Sequence, residues 1–133
     1  MSFIPGEDRQ DIYRQVRERV AAVAARDDWL REHPPEVEFF GWQADPWEQD
    51  PSHPFVAAFR ANAEQVWERP IPLAGKAAGL DTRFAQFWGV PALTFGPIGE
   101  NHHGSDEWVD VESVITLTKT LASFIVEWSG WRT

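Results

Sequence analysis

The sequence contains no cysteine among its 133 residues. It therefore has no disulfide framework, and any metal ion must be held by histidine, aspartate or glutamate. Basic residues are also few. The sequence has 12 lysines and arginines against 21 aspartates and glutamates, which gives a net charge of −9. Nucleic acids and anionic lipid surfaces attract basic proteins. Neither is therefore an expected partner.

Long apolar runs are absent as well. No stretch approaches the length that spans a bilayer, and the first ten residues, MSFIPGEDRQ, lack the apolar segment of a secretion signal. We therefore expect a soluble, cytoplasmic protein. A hydrophobic fraction of 43% is typical of a globular chain with one packed core. The eight tryptophans are expected in that core, or on a surface that a partner covers.

Apolar periodicity predicts four helices. The first opens at Gly6-Glu7-Asp8 and fades near Asp27-Asp28; the others run from about Pro54 to Glu68, over 81–89 with Asp81 as the cap, and onward from the cap Asp110. The last helix carries a row of residues expected to be buried: Val111, Val114, Ile115, Thr118, Leu121, Ala122, Ile125 and Trp128. A proline-rich segment over 44–54 is typical of a linker.

Strands are predicted between these helices. A short one ends at Pro5, and others cover 36–42, Ile71 to Ala78, and Val90 to Phe95. The last of these is apolar throughout, which is typical of a strand covered on both faces. Strands that alternate with helices predict an α/β fold for residues 54–133, and ligands bind such folds at the carboxyl ends of the strands.

The stretch ENHHGSDEWVD, residues 100–110, lies at such a strand end. His102 or His103 could supply one imidazole ligand, but a zinc site needs three or four protein groups. Spacing alone favours solvated loop histidines over metal ligands. Asp106 and Glu107 could bind metal, cap the last helix or face water.

Arg83 is a second candidate. Near the start of a short helix, its guanidinium and the free backbone N–H groups could hold a substrate carboxylate. The alternative is an ion pair with Asp81 or a plain surface position. His33 and His53 precede prolines in loops, where a histidine is usually only solvated.

Several segments together resemble the C-terminal end of a family of zinc amidohydrolases. That family includes acetylornithine deacetylase, succinyl-diaminopimelate desuccinylase, aminoacylase and related carboxypeptidases. The segments are LDTRF (80–84), GVPALTFGP (89–97) and HGSDEWV (103–109), followed by a long helix. Residues 28–35 and 122–130 are most similar to the acetylornithine-deacetylase-like deacylases.

The resemblance implies a role for each matching residue. His103 corresponds to the last ligand of a pair of zinc ions, and Arg83 to the arginine that contacts the substrate carboxylate. Glu107, with Asp106 beside it, corresponds to an acidic position near the metal shell. His102 occupies a variable position. The implied substrate is an N-acyl amino acid, whose amide bond the complete enzyme hydrolyses.

The chain departs from the family by what it omits. The family's other ligands and its general base come from a His-x-Asp pair, further acids and a Glu-Glu pair, and this sequence contains neither a His-x-Asp nor a Glu-Glu pair. The resemblance therefore implies a C-terminal fragment that is inactive alone. Residues 1–45 correspond to the second half of a small α+β lid or dimerisation domain, and residues 46–133 to the closing part of the zinc-binding α/β domain.

Two functions stay open from the sequence. The first is a fragment of a zinc-dependent deacylase whose missing N-terminal portion, or a partner chain, completes the site. The second is a non-catalytic module that self-associates, for example as a homodimer, or binds a partner.

Overall fold

Helices account for most of the regular structure in the computed structural model, which describes residues 3–130. The elements are α1 (Arg9–Ala24), α2 (Asp28–Glu32), α3 (Pro54–Trp67), α4 (Arg83–Phe87), β1 (Gly99–Glu100), β2 (Trp108–Val109) and α5 (Val111–Ser129). This mixture of helices with few strands is consistent with part of an α/β peptidase-like fold. The predicted lid domain stays a prediction.

The chain divides into two compact units. The first comprises the chain up to Glu48 together with Ala77–Gly79, and the second comprises Gln49–Lys76 and the chain from Leu80 onward. Within the first unit, Gly79 lies against the indole of Trp42. A Cβ atom added at Gly79 would stand 2.7 Å from that ring, so any larger residue there would displace the tryptophan.

Two aspartates begin the helices of the first unit. The Asp8 side chain accepts a hydrogen bond from the backbone N–H of Asp11 at 3.0 Å, and Asp27 accepts one from Leu30 at 2.9 Å. Both are N-caps, which satisfy backbone donors that the first helical turn leaves free. Helix α1 ends at Ala24, three residues before the predicted Asp27, and the sequence did not predict the short helix α2 that Asp27 caps.

The predicted strand over 36–42 is absent from the first unit as described. The segment has no regular secondary structure, and Phe39 stacks on Tyr13 of α1 with ring centroids 3.7 Å apart. The guanidinium of Arg17 lies 5.0 Å from the centroid of the same Phe39 ring. Alternation predicted the direction of the side chains correctly. A strand also needs a hydrogen-bonded neighbour, and the described residues provide none for this segment.

The short strand expected to end at Pro5 is likewise not formed in residues 3–5. The backbone there turns instead, with the Glu7 N–H donating to the Ile4 carbonyl at 3.1 Å.

The second unit is built on the contact between α3 and α5. Its core is Phe59 and Ala63 from α3 with Phe124 from α5. The rings of Phe59 and Phe124 meet edge to face, with centroids 5.0 Å apart. This arrangement is favourable for aromatic pairs. The start of α3 at Pro54 is as predicted, since proline suits the first helical position.

A buried polar cluster also joins α3 to α5. The Asn62 amide donates to the backbone carbonyl of Thr120 at 2.9 Å and accepts from the Ser123 hydroxyl at 2.8 Å. The Trp67 indole N–H donates to the Thr120 hydroxyl at 3.0 Å. These bonds hold α5 in one register against α3, because a sliding helix would leave buried polar groups unsatisfied.

The strands predicted over 71–78 and 90–95 are also corrected. Both segments are irregular, and the sole ladder within residues 3–130 joins β1 to β2. Leu93 and Phe95 nevertheless pack against the core of the second unit. The apolar character of 90–95 therefore predicted burial only in part, since Leu93 and Phe95 are half-buried but Val90 is 54% exposed. The pairing is missing because no described segment lies beside it as a strand.

The buried face of α5 differs from the prediction. Ser113, Thr120 and Phe124 are the buried residues of this helix, and all eight residues of the predicted row are exposed. Counting apolar residues alone placed the buried side wrongly, since two of the three buried residues carry a hydroxyl group. The N-cap was predicted correctly, because the Asp110 side chain accepts from the Ser113 N–H at 2.7 Å.

Candidate functional site

The loop between β1 and β2 carries the candidate metal ligand. β1 and β2 pair antiparallel, with Glu100 opposite Trp108, and the loop spans 101–107. The turn closes through a hydrogen bond from the Gly104 N–H to the Asn101 carbonyl at 2.7 Å. The short ladder and this bond fix both ends of the segment that contains His102 and His103.

Three residues other than glycine adopt a left-handed backbone in this loop. Asn101, His103 and Asp106 have φ angles of 59°, 61° and 58°. Asparagine, aspartate and histidine are the non-glycine residues found most often in this region, although for each it still carries a cost that glycine avoids. Strained backbone of this kind is concentrated at functional sites.

Asn101 also uses its side chain to brace the loop. Its amide nitrogen donates to the Asp106 carbonyl at 3.3 Å. Asn101 was not among the functional candidates predicted from the sequence. The available signal was its tolerance of left-handed backbone next to a histidine pair.

His103 is exposed, and it forms no hydrogen bond or ion pair with any other residue in the range 3–130. Both ring nitrogens are therefore accessible to a ligand from outside. His102 differs, because its Nδ1 lies 3.4 Å from the Glu107 carboxylate. The structure thus brings Glu107 to His102, whereas the resemblance had assigned it to the metal shell and left His102 without a role.

Asp106 lies at the far end of the same loop. Its side chain is exposed, and its contribution to the loop is the backbone carbonyl that Asn101 contacts. The assignment of Asp106 and Glu107 to the surroundings of a metal ion stays a prediction.

The described residues cannot form a zinc site by themselves. Across residues 3–130, no three histidine, aspartate or glutamate side chains come together in a metal-binding group. A structural or catalytic zinc site uses at least three protein ligands. His103 can supply one of them, so the remaining ligands would have to come from outside the described residues.

Arg83 begins α4 and is the one charged side chain among the buried polar residues of the described chain. Its contacts include the Leu80 carbonyl, 3.4 Å from Nη1, and the Phe84 ring, whose centroid is 4.3 Å from the guanidinium carbon. Cations stack favourably on aromatic faces. The helix begins one residue later than predicted, since its N-cap is Thr82 and not Asp81.

Two histidines expected to be merely solvated have structural roles. The His53 Nδ1 accepts from the Phe55 N–H at 3.1 Å and so caps α3. His33 stacks on Trp29, with ring centroids 4.5 Å apart. Neither histidine belongs to the loop that carries His103.

Comparison with known proteins adds to this geometry. A family profile described as Peptidase family M20/M25/M40 matches residues 9–127. The N-formyl-4-amino-5-aminomethyl-2-methylpyrimidine deformylase of Halalkalibacterium halodurans is 32% identical over 98% of this chain and 33% of its own length. The deformylase of the same name from Bacillus subtilis is 28% identical over 95% of this chain and 32% of its own length. The chain thus spans about a third of the length of these curated relatives.

Proposed function

Because this chain belongs to peptidase family M20/M25/M40, we propose that it is the C-terminal part of a metal-dependent deacylase that hydrolyses amide bonds. The family match confirms the resemblance found in the sequence. It supports a hydrolase of the amidohydrolase kind, in agreement with the deformylase names of the relatives. The fragment assignment and the substrate are parts of the proposal.

The observation that carries the proposal is the state of His103. It is an exposed imidazole on a strained, braced loop, without a hydrogen-bonding or ionic partner in residues 3–130. We assign it as one zinc ligand, completed by groups from a portion of the enzyme outside this chain. When bound, the metal would act as the Lewis acid of amide hydrolysis. The 133-residue chain is then inactive by itself.

An N-acyl amino acid, of the kind that acetylornithine represents, is the first candidate substrate. Its support is Arg83, whose guanidinium can form two parallel hydrogen bonds with a carboxylate. The Leu80 carbonyl and the Phe84 ring hold that side chain in place. A fixed guanidinium loses little rotational entropy when a substrate carboxylate binds.

An N-formyl aminomethylpyrimidine is the second candidate, and its support is the activity for which both relatives are named. This compound has no carboxylate, so its binding would not depend on a guanidinium clamp. The two candidates therefore make opposite predictions for Arg83.

The test uses this chain together with the portion of the Halalkalibacterium deformylase that lies outside the matched third. The reconstituted protein is assayed on N-acetylornithine and on the formylpyrimidine, with and without Arg83→Lys. A carboxylate clamp predicts a rise in KM for N-acetylornithine of about tenfold or more, because lysine cannot form the bidentate pair. An unchanged KM would exclude the clamp, and turnover of the formylpyrimidine alone would select the second candidate. Activity unaffected by His103→Ala would overturn the ligand assignment.

A further inference from the structure

Helix α5 carries a long apolar row that α3 does not cover. Its buried residues are Ser113, Thr120 and Phe124, of which Thr120 and Phe124 contact α3. Large apolar residues elsewhere on the helix are exposed, with exposed fractions between 39% and 66%: Val111, Val114, Ile115, Leu121, Ile125 and Val126. Trp128 is excluded because its ring contacts Phe55 of α3. A helix of a globular protein normally turns its apolar residues toward a core.

The exposed residues form one continuous row. Val111, Val114 or Ile115, Thr118, Leu121 or Ala122, and Ile125 follow one another at spacings of three and four, which places them on one side of a helix. We name this row the outer face of α5. The charged residues of the helix, Glu112, Lys119 and Glu127, fall outside the row. At about 1.5 Å per residue the helix is nearly 30 Å long, so the outer face is a large patch for a soluble protein.

We propose that the outer face of α5 is the surface on which the remaining portion of the same enzyme docks. The inference rests on the proposed function, since it takes the chain to be part of a longer deacylase. Its partner is therefore a polypeptide equivalent to the two thirds of the deformylase relatives that the match leaves uncovered. The chemistry expected of that partner is an uncharged, apolar surface.

Features of the second unit support this occupant. Segment 90–95 packs Leu93 and Phe95 on the core but has no strand beside it within the described residues. The unit therefore lacks a neighbouring element as well as a cover for α5. The missing two thirds would supply both the strand neighbour of segment 90–95 and the cover for α5, if they form the adjoining part of the same α/β layers.

Charge argues against the other occupants. Two copies of the chain would each bring a net charge of −9, and like charges oppose association. An anionic membrane is disfavoured for the same reason. Helices that lie on such membranes carry several basic residues on their polar side, whereas α5 contains one lysine and no arginine.

The experiment measures binding between this chain and the unmatched two thirds of the Halalkalibacterium deformylase, produced as a separate polypeptide. We expect a complex, and we expect Ile115→Asp and Ile125→Asp each to weaken its Kd by about tenfold or more, as for buried residues at the centre of an interface. The matched control is Val23→Asp, which makes a similar change at an exposed apolar position of α1 in the first unit. It should leave the Kd within about twofold of the parent value.

Circular dichroism and melting temperature establish that each variant retains its helices. If Ile125→Asp unfolds the chain, the milder Ile125→Ala and Val111→Ala variants are compared instead, with Val23→Ala as their control. A complex that tolerates all outer-face changes, or no complex at all, would overturn the proposal. A dimer of this chain that Ile125→Asp disrupts would also overturn it, by showing that a second copy covers the outer face. Binding to vesicles of phosphatidylglycerol through the outer face would overturn it by showing that the face binds a membrane.

The docking proposal and the enzymatic proposal can fail separately. A complex that depends on the outer face but hydrolyses neither N-acetylornithine nor the formylpyrimidine would retain the interface and refute the deacylase assignment. Hydrolysis by a complex that is insensitive to Ile115 and Ile125 would retain the enzyme and refute the interface.

Discussion

At the residue scale, the conformation of His103 links the loop to its proposed chemistry. A left-handed backbone costs a residue other than glycine roughly 1–2 kcal/mol. The hydrogen bonds of Asn101 with Gly104 and Asp106 help the loop to keep this conformation. His102 beside it faces Glu107 instead. Adjacent histidines therefore have different surroundings, and only one of them is accessible to a ligand on both ring nitrogens.

This difference predicts unequal effects on metal binding. In the reconstituted protein, His103→Ala should weaken zinc binding by more than about 100-fold, because even residues that only support ligands contribute about 10–100-fold. His102→Ala is the matched control and should cost less than about tenfold, since it removes only an exposed contact with Glu107. Competition with a chromogenic chelator gives both affinities. Equal losses from the two variants would contradict the assignment of His103.

Asn62 is the second residue whose surroundings decide an outcome. Its amide is buried between α3 and α5 and bonds to Thr120 and Ser123. Asn62→Ala should lower the free energy of unfolding by about 1–3 kcal/mol, because it leaves buried groups unsatisfied. Urea titration followed by tryptophan fluorescence measures the loss. Gln65→Ala, on the exposed side of α3, is the control, and an equally small loss at both positions would show that the cluster is not stabilising.

At the element scale, the helix starts could largely be predicted and the strands could not. Asp110 and Pro54 are local signals, since a cap or a first-turn proline acts on backbone groups within a few residues. The apolar segment 90–95 is different, because whether it becomes a strand depends on a neighbour elsewhere in the chain or outside it. Alternation at Phe39 and apolar content at Leu93 and Phe95 predicted burial but could not predict pairing.

The buried side of α5 was mispredicted for a related reason. Periodicity identifies the apolar row of this helix, but the side that meets α3 includes the polar Thr120 beside Phe124. The choice is made by Asn62, whose polar partners Thr120 and Ser123 lie 58 and 61 residues away along the chain. For the site, the histidine pair and Arg83 were recognised as candidates, whereas the role of Asn101 required the backbone geometry.

The cap of α5 gives a prediction about that element. Asp110→Ala should reduce the free energy of unfolding by about 1 kcal/mol, because the Ser113 N–H loses its acceptor. Asp110→Asn keeps an acceptor oxygen and should cost less than half as much. Thermal melts monitored at the helical circular dichroism band compare the two variants. If asparagine is as damaging as alanine, capping is not the stabilising feature.

The end of α3 gives a prediction about acid sensitivity. The Ile71 backbone N–H and the Arg60 side chain, at 3.1 Å and 2.9 Å, hold the pKa of Glu64 below its ordinary value of 4.5. A lowered pKa means that the folded protein prefers the carboxylate. This contribution to stability is present above the unfolded-state pKa and is lost as pH falls through the lower folded-state pKa.

Glu64→Gln should therefore flatten the pH dependence of unfolding on the acid side. Between about pH 5 and about pH 3, the parent chain should lose more stability than the variant, which keeps an acceptor for Ile71 but carries no charge. Denaturant titrations at several pH values measure both slopes, and Glu68→Gln at the end of α3 serves as the control. Identical slopes for the parent and Glu64→Gln would contradict the assignment.

At the scale of the whole molecule, the proposal that this chain is part of a longer deacylase explains both its family membership and its incomplete zinc site. The chain matches M20/M25/M40 peptidases over residues 9–127 yet spans about a third of its curated relatives. In residues 3–130 it offers one candidate zinc ligand in place of a set, a segment without a strand neighbour, and a helix with an uncovered apolar side. No helix in that part of the chain has the length and apolarity needed to cross a bilayer.

The most direct test is amide hydrolysis by the pieces, separately and combined, with zinc supplied. The account predicts no turnover of N-acetylornithine or of the formylpyrimidine by this chain, and none by the unmatched two thirds of the Halalkalibacterium deformylase. It predicts turnover of at least one of these substrates by the complex, lost on His103→Ala. Turnover by this chain alone, or a stable zinc-loaded complex that hydrolyses neither compound, would contradict it.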